Sequence, residues 1–328
     1  MGVSRFNVIP WVWANSQEIV GTIAIDAPNY IARRTSVFTP KRTNRDRVPL
    51  SHLLVGLGLI RAALRNKILP VLVFDGPPER LKRDPNPELV AEAHEVYSRF
   101  SRGGDPYDED ISESLSHSPA LRMYFAAEHL RDLGRAMGVP TLTAPTEAEM
   151  LCAAMCRDSH ARTVVSNDAD ALLFGSPHVT SHMELSRGRV CRATLAALEA
   201  SLGLGLDGLR DLAVICGCDF HPEGVKGIGP RRGAILLKRH GDLEGVLRAR
   251  GYGPADREPL VLAREVFEES VHLSLACVDL RLKPPILPKL VSLLSPCLGQ
   301  MKSEIAAEQM TSIWREFGRR QATLEQWT

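Results

Sequence analysis

Four apolar segments that each run out onto carboxylates constrain this chain more than any other feature of its sequence. The run TIAID (22–26) stops on Asp26, and LPVLVF (69–74) passes into Asp75-Gly-Pro-Pro. VPTLTAP (139–145) leads into TEAE, which carries Glu147 and Glu149. The β-branched Thr163-Val164-Val165 passes through Ser166 and Asn167 to Asp168 and Asp170. Short apolar or β-branched runs bounded by turn residues read as buried strands. Ser, Asn, Gly and Pro favour turns over strand continuation, which places the stops. Helical periodicity fills the intervals: Leu53, Leu54, Leu57, Ile60 and Leu64 within 50–66, then 87–100, then 119–137 closed by Gly138. Strands alternating with helices predict an α/β fold with a central, mostly parallel sheet and helices on both faces. In such sheets ligands bind beyond the carboxyl ends of the strands. The acids therefore stand where chemistry is done.

Carboxylates are hard oxygen ligands that suit Mg²⁺ or Mn²⁺, and Asp168 with Asp170 is the densest pair. The same D-x-D also occurs in Asp-based phosphatases, in sugar-nucleotide transferases and as plain turn chemistry. A phosphatase of the D-x-D-x-T/V kind would want Thr or Val where Leu172 stands. Glu147 and Glu149 have a second reading as well. Thr146 is placed to cap a helix with Glu149 at the capping-box position, and acids there complement the helix dipole.

The second informative stretch is 217–247. Gly227-Ile228-Gly229-Pro230 between two helical segments predicts a backbone-exposed turn entering a helix amino end. Free N–H groups and the dipole at such an end suit a phosphate. Lys226, Arg231, Arg232, Lys238 and Arg239 surround it with positive charge. It reads as a helix–hairpin–helix grip on a DNA backbone without sequence readout; the alternative is an ordinary helix–turn–helix connection with a solvated basic face. A formal net charge of only +1 hides this, because basic clusters at 33–47, 61–67 and 80–83 are offset by acids at 105–113. Residues 79–118 read as a polar, Gly/Pro-broken insertion, 178–192 as a strand and turn, and 254–318 as mainly helical with a Pro-rich break at 284–288. Seven cysteines without a C-x-x-C pair indicate neither a disulfide framework nor a zinc site, and they suit a reducing cytosol. With no apolar run near the roughly 20 residues of a membrane span and no signal-peptide core, a soluble intracellular protein is expected.

In order along the chain, MGV, IAID, SHL, VFDG-PP, AP-T-E-A-E, S-N-D-A-D-ALLFGSP and G-CD-F-PEGVKGIGP resemble the structure-specific flap endonuclease family, most closely its archaeal members. The resemblance implies a 5′-nuclease (PIN-like) α/β fold in a single nuclease domain over 1–318. That domain would hold an arch insertion at 79–130 and a helix–hairpin–helix region at 205–275. It implies two Mg²⁺ ions, with Mn²⁺ as a substitute, held by Asp26, Asp75, Glu147, Glu149, Asp168, Asp170 and Asp219. K⁺ at the helix–hairpin–helix turn belongs to the same expectation. Lys82 matches the lysine that contacts the scissile phosphate, and Gly2, Tyr30, Lys226, Gly227, Gly229, Arg231 and Arg232 match DNA contacts. Tyr30 reads equally as a core tyrosine. The activity implied is endonuclease and 5′ exonuclease cleavage at flap or branched DNA in replication and repair. Two other classes stay open: a catalytically weakened DNA-structure binding protein and a metal-dependent phosphatase.

Three departures stand out. Leu89 occupies the position of the family's arch arginine, leaving that role unfilled or moved to Arg83 or Arg99. Trp11 and Trp13 replace the typical polar start, and wedge against DNA or pack on the core. In the tail 319–328, Gln321, Leu324 and Trp327 fit a sliding-clamp binding pattern, with Thr328 in place of the second aromatic; the alternative is a frayed polar tail. A monomer working on DNA without a membrane is expected, in the cytoplasm with the nucleoid or, in a eukaryote, in the nucleus.

Overall fold

A computed structural model describes residues 8–34, 48–77, 81, 87–103, 105–168, 170–269 and 279–325, with side chains described no further than 318. Its strands are β1 (Val12–Asn15), β2 (Gly21–Asp26), β3 (Ile68–Phe74), β4 (Thr141–Thr143), β5 (Val164–Val165), β6 (His178–Glu184) and β7 (Arg189–Thr194). The helices of the first half are α1 (Ala27–Arg34), α2 (Ser51–Arg65), α3 (Pro87–Gly103), α4 (Glu109–His117), α5 (Pro119–Met137) and α6 (Ala148–Arg157). Those of the second half are α7 (Asp170–Leu173), α8 (Leu195–Leu202), α9 (Leu206–Cys216), α10 (Pro230–His240), α11 (Leu243–Ala249), α12 (Pro254–Glu269), α13 (Leu287–Leu298) and α14 (Gln300–Glu325). None among the described residues is long and apolar enough to cross a membrane. The chain divides into two compact units. One comprises Met1–Ile19, Gly76–Arg83 and Ala144–Cys277, the other Val20–Asp75, Asp84–Thr143 and Val278–Thr328.

The second unit carries the parallel run β2-β3-β4, with Asp26 opposite Val73 and Phe74 opposite Thr143. Every residue of β3 is buried, as expected of a parallel strand covered on both faces. Helix α5 starts on Ser118, whose hydroxyl accepts from the Leu121 N–H at 3.1 Å, and stops at Gly138 with φ +79°. A side chain there would strain the left-handed backbone and would also meet the Lys283 carbonyl oxygen at 2.0 Å. Residues 105–118 correct the expectation of a broken insertion, because α4 forms there. The Asp108 carboxylate caps it at Ile111 (3.0 Å), and Ile111 and Leu115 bury its apolar stripe. Arg99 pairs with Asp108 and Asp110, each at 3.0 Å, so the acidic run is a capped, ion-paired helix.

The first unit carries the run β1-β7-β6-β5. β5 is parallel to β6, while β6–β7 and β7–β1 are antiparallel. Parallel pairs outnumber antiparallel ones across the two runs, which agrees with the expected α/β class. Trp13 lies half exposed on β1 with the Arg189 guanidinium 4.4 Å from its ring centroid, so it is not a core residue.

Candidate metal centre and nucleic-acid interface

The β5 strand ends at Val165, and its backbone is turned by Ser166. The Ser166 hydroxyl accepts the Asp168 N–H at 3.0 Å and donates to Glu149 Oε1 at 3.4 Å. Asp168 Oδ1 in turn accepts the Asp170 N–H at 3.4 Å. These bonds draw Glu149, Asp168 and Asp170 together, and one ligand oxygen from each lies within 4.8 Å of the others. Asp170 is 4% exposed and the other two are half-buried. Three carboxylates this close repel one another unless a cation or proton intervenes. An all-oxygen, anionic donor set is what Mg²⁺ or Mn²⁺ takes, so the residues present fit such an ion.

Thr146 does not cap α6, which is a correction. Glu147 takes the N-cap position with extended backbone (φ −85°, ψ 136°) and no side-chain capping bond, and the Thr146 hydroxyl donates to Met150 Sδ at 3.3 Å. Glu149 then lies one residue too early for a capping box and turns to Ser166 instead. Asp219 follows α9 in the same unit. Burial pushes the Cys218 thiol up to about 11, and the charges of Asp170 and Asp219 act on it in the same direction.

Asp26 and Asp75 belong to the other unit. Asp26 ends β2, is 4% exposed and accepts the Asn29 N–H at 3.1 Å. Asp75 follows β3 directly. The register of Asp26 with Val73 puts both acids at the same end of adjoining parallel strands. Burial raises the Tyr124 hydroxyl above its ordinary value, and the Asp75 charge adds to the effect.

Lys226, Gly227, Gly229, Arg231 and Arg232 come together on the connection from α9 to α10. Val225 donates its N–H to the Ile215 carbonyl at 2.7 Å, and Val225 and Ile228 are buried beneath the turn. Gly227 has φ +76°, and a Cβ on Gly227 or Gly229 would meet nothing within 4 Å. The turn's backbone is therefore open on its outer side. A cavity of about 290 Å³ lies against it, lined by Cys216, Glu223, Val225, Ile228 and Pro230 among others. Lys226, Arg231 and Arg232 are exposed around this turn.

The remaining expected residues fall differently. Tyr30 is 9% exposed with the Arg34 guanidinium 3.9 Å from its ring centroid, which is the core-tyrosine alternative. Arg99 is engaged with Asp108 and Asp110. Gly2, Lys82, Arg83 and Trp327 lie outside the described residues. Gln321 and Leu324 lie on α14, which carries the backbone on to Glu325, and their side chains are outside the description. Ser166 was legible only as a turn residue; its tie to Glu149 spans seventeen residues and has no local signal.

A family model described as the XPG I-region matches residues 138–219, the span that carries Glu147, Glu149, Asp168, Asp170 and Asp219. Flap endonuclease 1-A of Sorghum bicolor is 32% identical over 284 residues, covering 83% of this chain and 74% of that protein. The chain belongs to the flap endonuclease family. Flap endonuclease 1 of Leishmania braziliensis is 33% identical over 213 residues, and the chain spans 53% of that relative's length. Among solved structures, the flap endonuclease-1 from Methanococcus jannaschii superposes with a TM-score of 0.69 at 22% identity, covering 96% of this chain and 99% of that one. The catalytic core of Rad2 in complex with DNA substrate gives 0.61 at 20% identity, covering 94% and 100%. These two likenesses establish the shared fold. The archaeal likeness lies in that fold, while the sequence relatives named here are a plant and a protist protein.

Proposed function

We propose that this family member is a divalent-metal-dependent, structure-specific DNA nuclease. It hydrolyses a phosphodiester at a 5′ flap or branched duplex during DNA replication and repair. The observation that carries the reading is the triad Glu149, Asp168 and Asp170, three convergent carboxylate oxygens at a strand end in a flap endonuclease family chain. Mg²⁺ is the ion proposed, with Mn²⁺ as a substitute. Two ions are part of the reading, drawing on the family's carboxylates Asp26, Asp75, Glu147 and Asp219 besides the triad. Divalent ions at such a site supply charge stabilisation to the attacking and leaving oxygens of the phosphodiester.

The chain's own residues have separable tasks. Lys226, Arg231 and Arg232 hold duplex phosphates beside the open backbone of Gly227 and Gly229, a contact without sequence readout, with K⁺ as a proposed occupant of that turn. Lys82 is proposed to meet the scissile phosphate, where a cation stabilises developing charge. Gln321, Leu324 and Trp327 are proposed to dock on a sliding clamp. The protein is proposed to act as a monomer, in the cytoplasm of a cell without a nucleus or in the nucleus of one that has it. Incubating the protein with labelled flap, fork, nicked and hairpin DNAs, in Mg²⁺ and in EDTA, tests the reading. Cleavage of flap or fork in Mg²⁺ alone is expected. Binding without cutting on every substrate would leave a DNA-structure binding protein in its place.

A further inference from the structure

Asp170 opens a helix, α7, of only four residues, and a single turn gains too little to hold itself. All four of its carbonyls are nonetheless claimed. Those of Asp170, Ala171 and Leu172 accept the N–H groups of Phe174 (2.9 Å), Ser176 (2.9 Å) and Gly175 (3.0 Å). The fourth, on Leu173, accepts Arg210 Nε from α9 at 2.8 Å. Arg210 is 4% exposed, and a guanidinium is rarely so buried unless paired. Its Nη1 lies 3.3 Å from Asp207 Oδ1. Asp207 also takes Arg264 Nη2 at 3.0 Å, and Arg264 Nε reaches Asp211 at 2.7 Å. The second oxygen of Asp211 accepts the Leu243 N–H at the start of α11 (3.0 Å). One charged network therefore joins α7, α9, α11 and α12, and α9 runs on from Arg210 into Asp219 and the glycine hairpin.

We infer that Arg210 is a positioning residue for the metal centre. By closing the last carbonyl of α7 it fixes Asp170 against Glu149 and Asp168, and it ties that ligand to the helix that carries the phosphate grip. A packing role alone would be met by an apolar side chain of similar length, which could neither cap Leu173 nor pair with Asp207. The inference rests on the reading of the triad as a metal site.

The test is Mn²⁺ binding by the full chain without DNA, followed by calorimetry, with duplex affinity in EDTA as the control. Arg210→Met is expected to bind Mn²⁺ about tenfold more weakly, as when other partners that orient metal ligands are removed, with duplex affinity held. Arg210→Lys, with one ammonium for two acceptors, is expected to fall between that variant and the wild type. Wild-type Mn²⁺ affinity in Arg210→Met overturns the inference. Should that variant not fold, wild-type affinity in Arg210→Lys overturns it. An absence of Mn²⁺ binding by the unmodified chain would instead sink the metal reading on which the inference rests.

Discussion

Acid should destabilise this protein through two buried histidines well before its carboxylates are protonated. His52 on α2 and His129 on α5 are 0% and 2% exposed, with His52 Nε2 and His129 Nδ1 3.0 Å apart. Tyr97, Phe100 and Phe125 surround them edge-on. Burial holds His129 down to about 3, against a partial upward pull from Asp132. Burial, then the neighbouring His129, holds His52 well below its ordinary value. Between its unfolded value near 6.5 and its folded value, His129 carries a proton in the unfolded chain and none in the folded one. Stability is whole above about pH 6.5 and falls as pH drops through that window.

Each pH unit inside the window costs about 1.4 kcal/mol for one such group. At about pH 5 His129 alone therefore removes about 2 kcal/mol, a large share of a typical folding free energy. His52 adds to the loss with the same sign. Urea unfolding followed by circular dichroism at about pH 7.5 and 5 measures it, in wild type and in the double variant His52→Gln/His129→Asn. Those side chains place amide atoms near the two bonded nitrogens without a titrating ring. Wild type is expected to lose about 2 kcal/mol more than the variant over that interval. Equal losses would mean that the two rings take up protons in the folded state.

Two further outcomes follow from the interface. Replacing Arg231 and Arg232 by Ala should weaken binding to all duplex sequences alike and flatten the log–log salt dependence by roughly one unit per lost phosphate contact; an unchanged slope in a titration over NaCl would place both cations in solvent. A peptide of residues 314–328 should bind the sliding clamp of the same organism in calorimetry, with Trp327→Ala costing about 2 kcal/mol or more; no heat at near-millimolar peptide would leave the tail without this partner.

The sequence pattern led directly to the strands, because β2, β3 and β5 are continuous apolar runs that only a covered sheet can bury. It also located the acids of the triad, since each lies within a few residues of a strand end. What it hid were contacts made at long range. Helix α4 was masked by its polar composition: only Ile111, Ser112 and Leu115 turn inward, and the Asp108 cap does the rest. The start of α6 slipped by one residue because Thr146 and Glu147 are both plausible caps by type, and only the packed backbone decides between them. Arg210 looked like one more cation on an amphipathic helix, and its acceptor on Leu173 lies thirty-seven residues away. Tyr30 and Trp13 illustrate the same limit in opposite directions. The first is buried beneath Arg34 and the second is half exposed beneath Arg189, although sequence allowed each aromatic either a core or a surface place.

The central claim is that Glu149, Asp168 and Asp170 hold the ion on which phosphodiester hydrolysis depends, and Asp170→Asn tests it most directly. The substitution keeps the side chain's size and removes one anionic ligand at the buried corner of the triad. Single-turnover cleavage of a 5′-flap DNA in Mg²⁺, with affinity for the same DNA measured alongside, separates chemistry from binding. The account predicts that cleavage is abolished while affinity stays near that of the wild type. Cleavage by Asp170→Asn at the wild-type rate would contradict it.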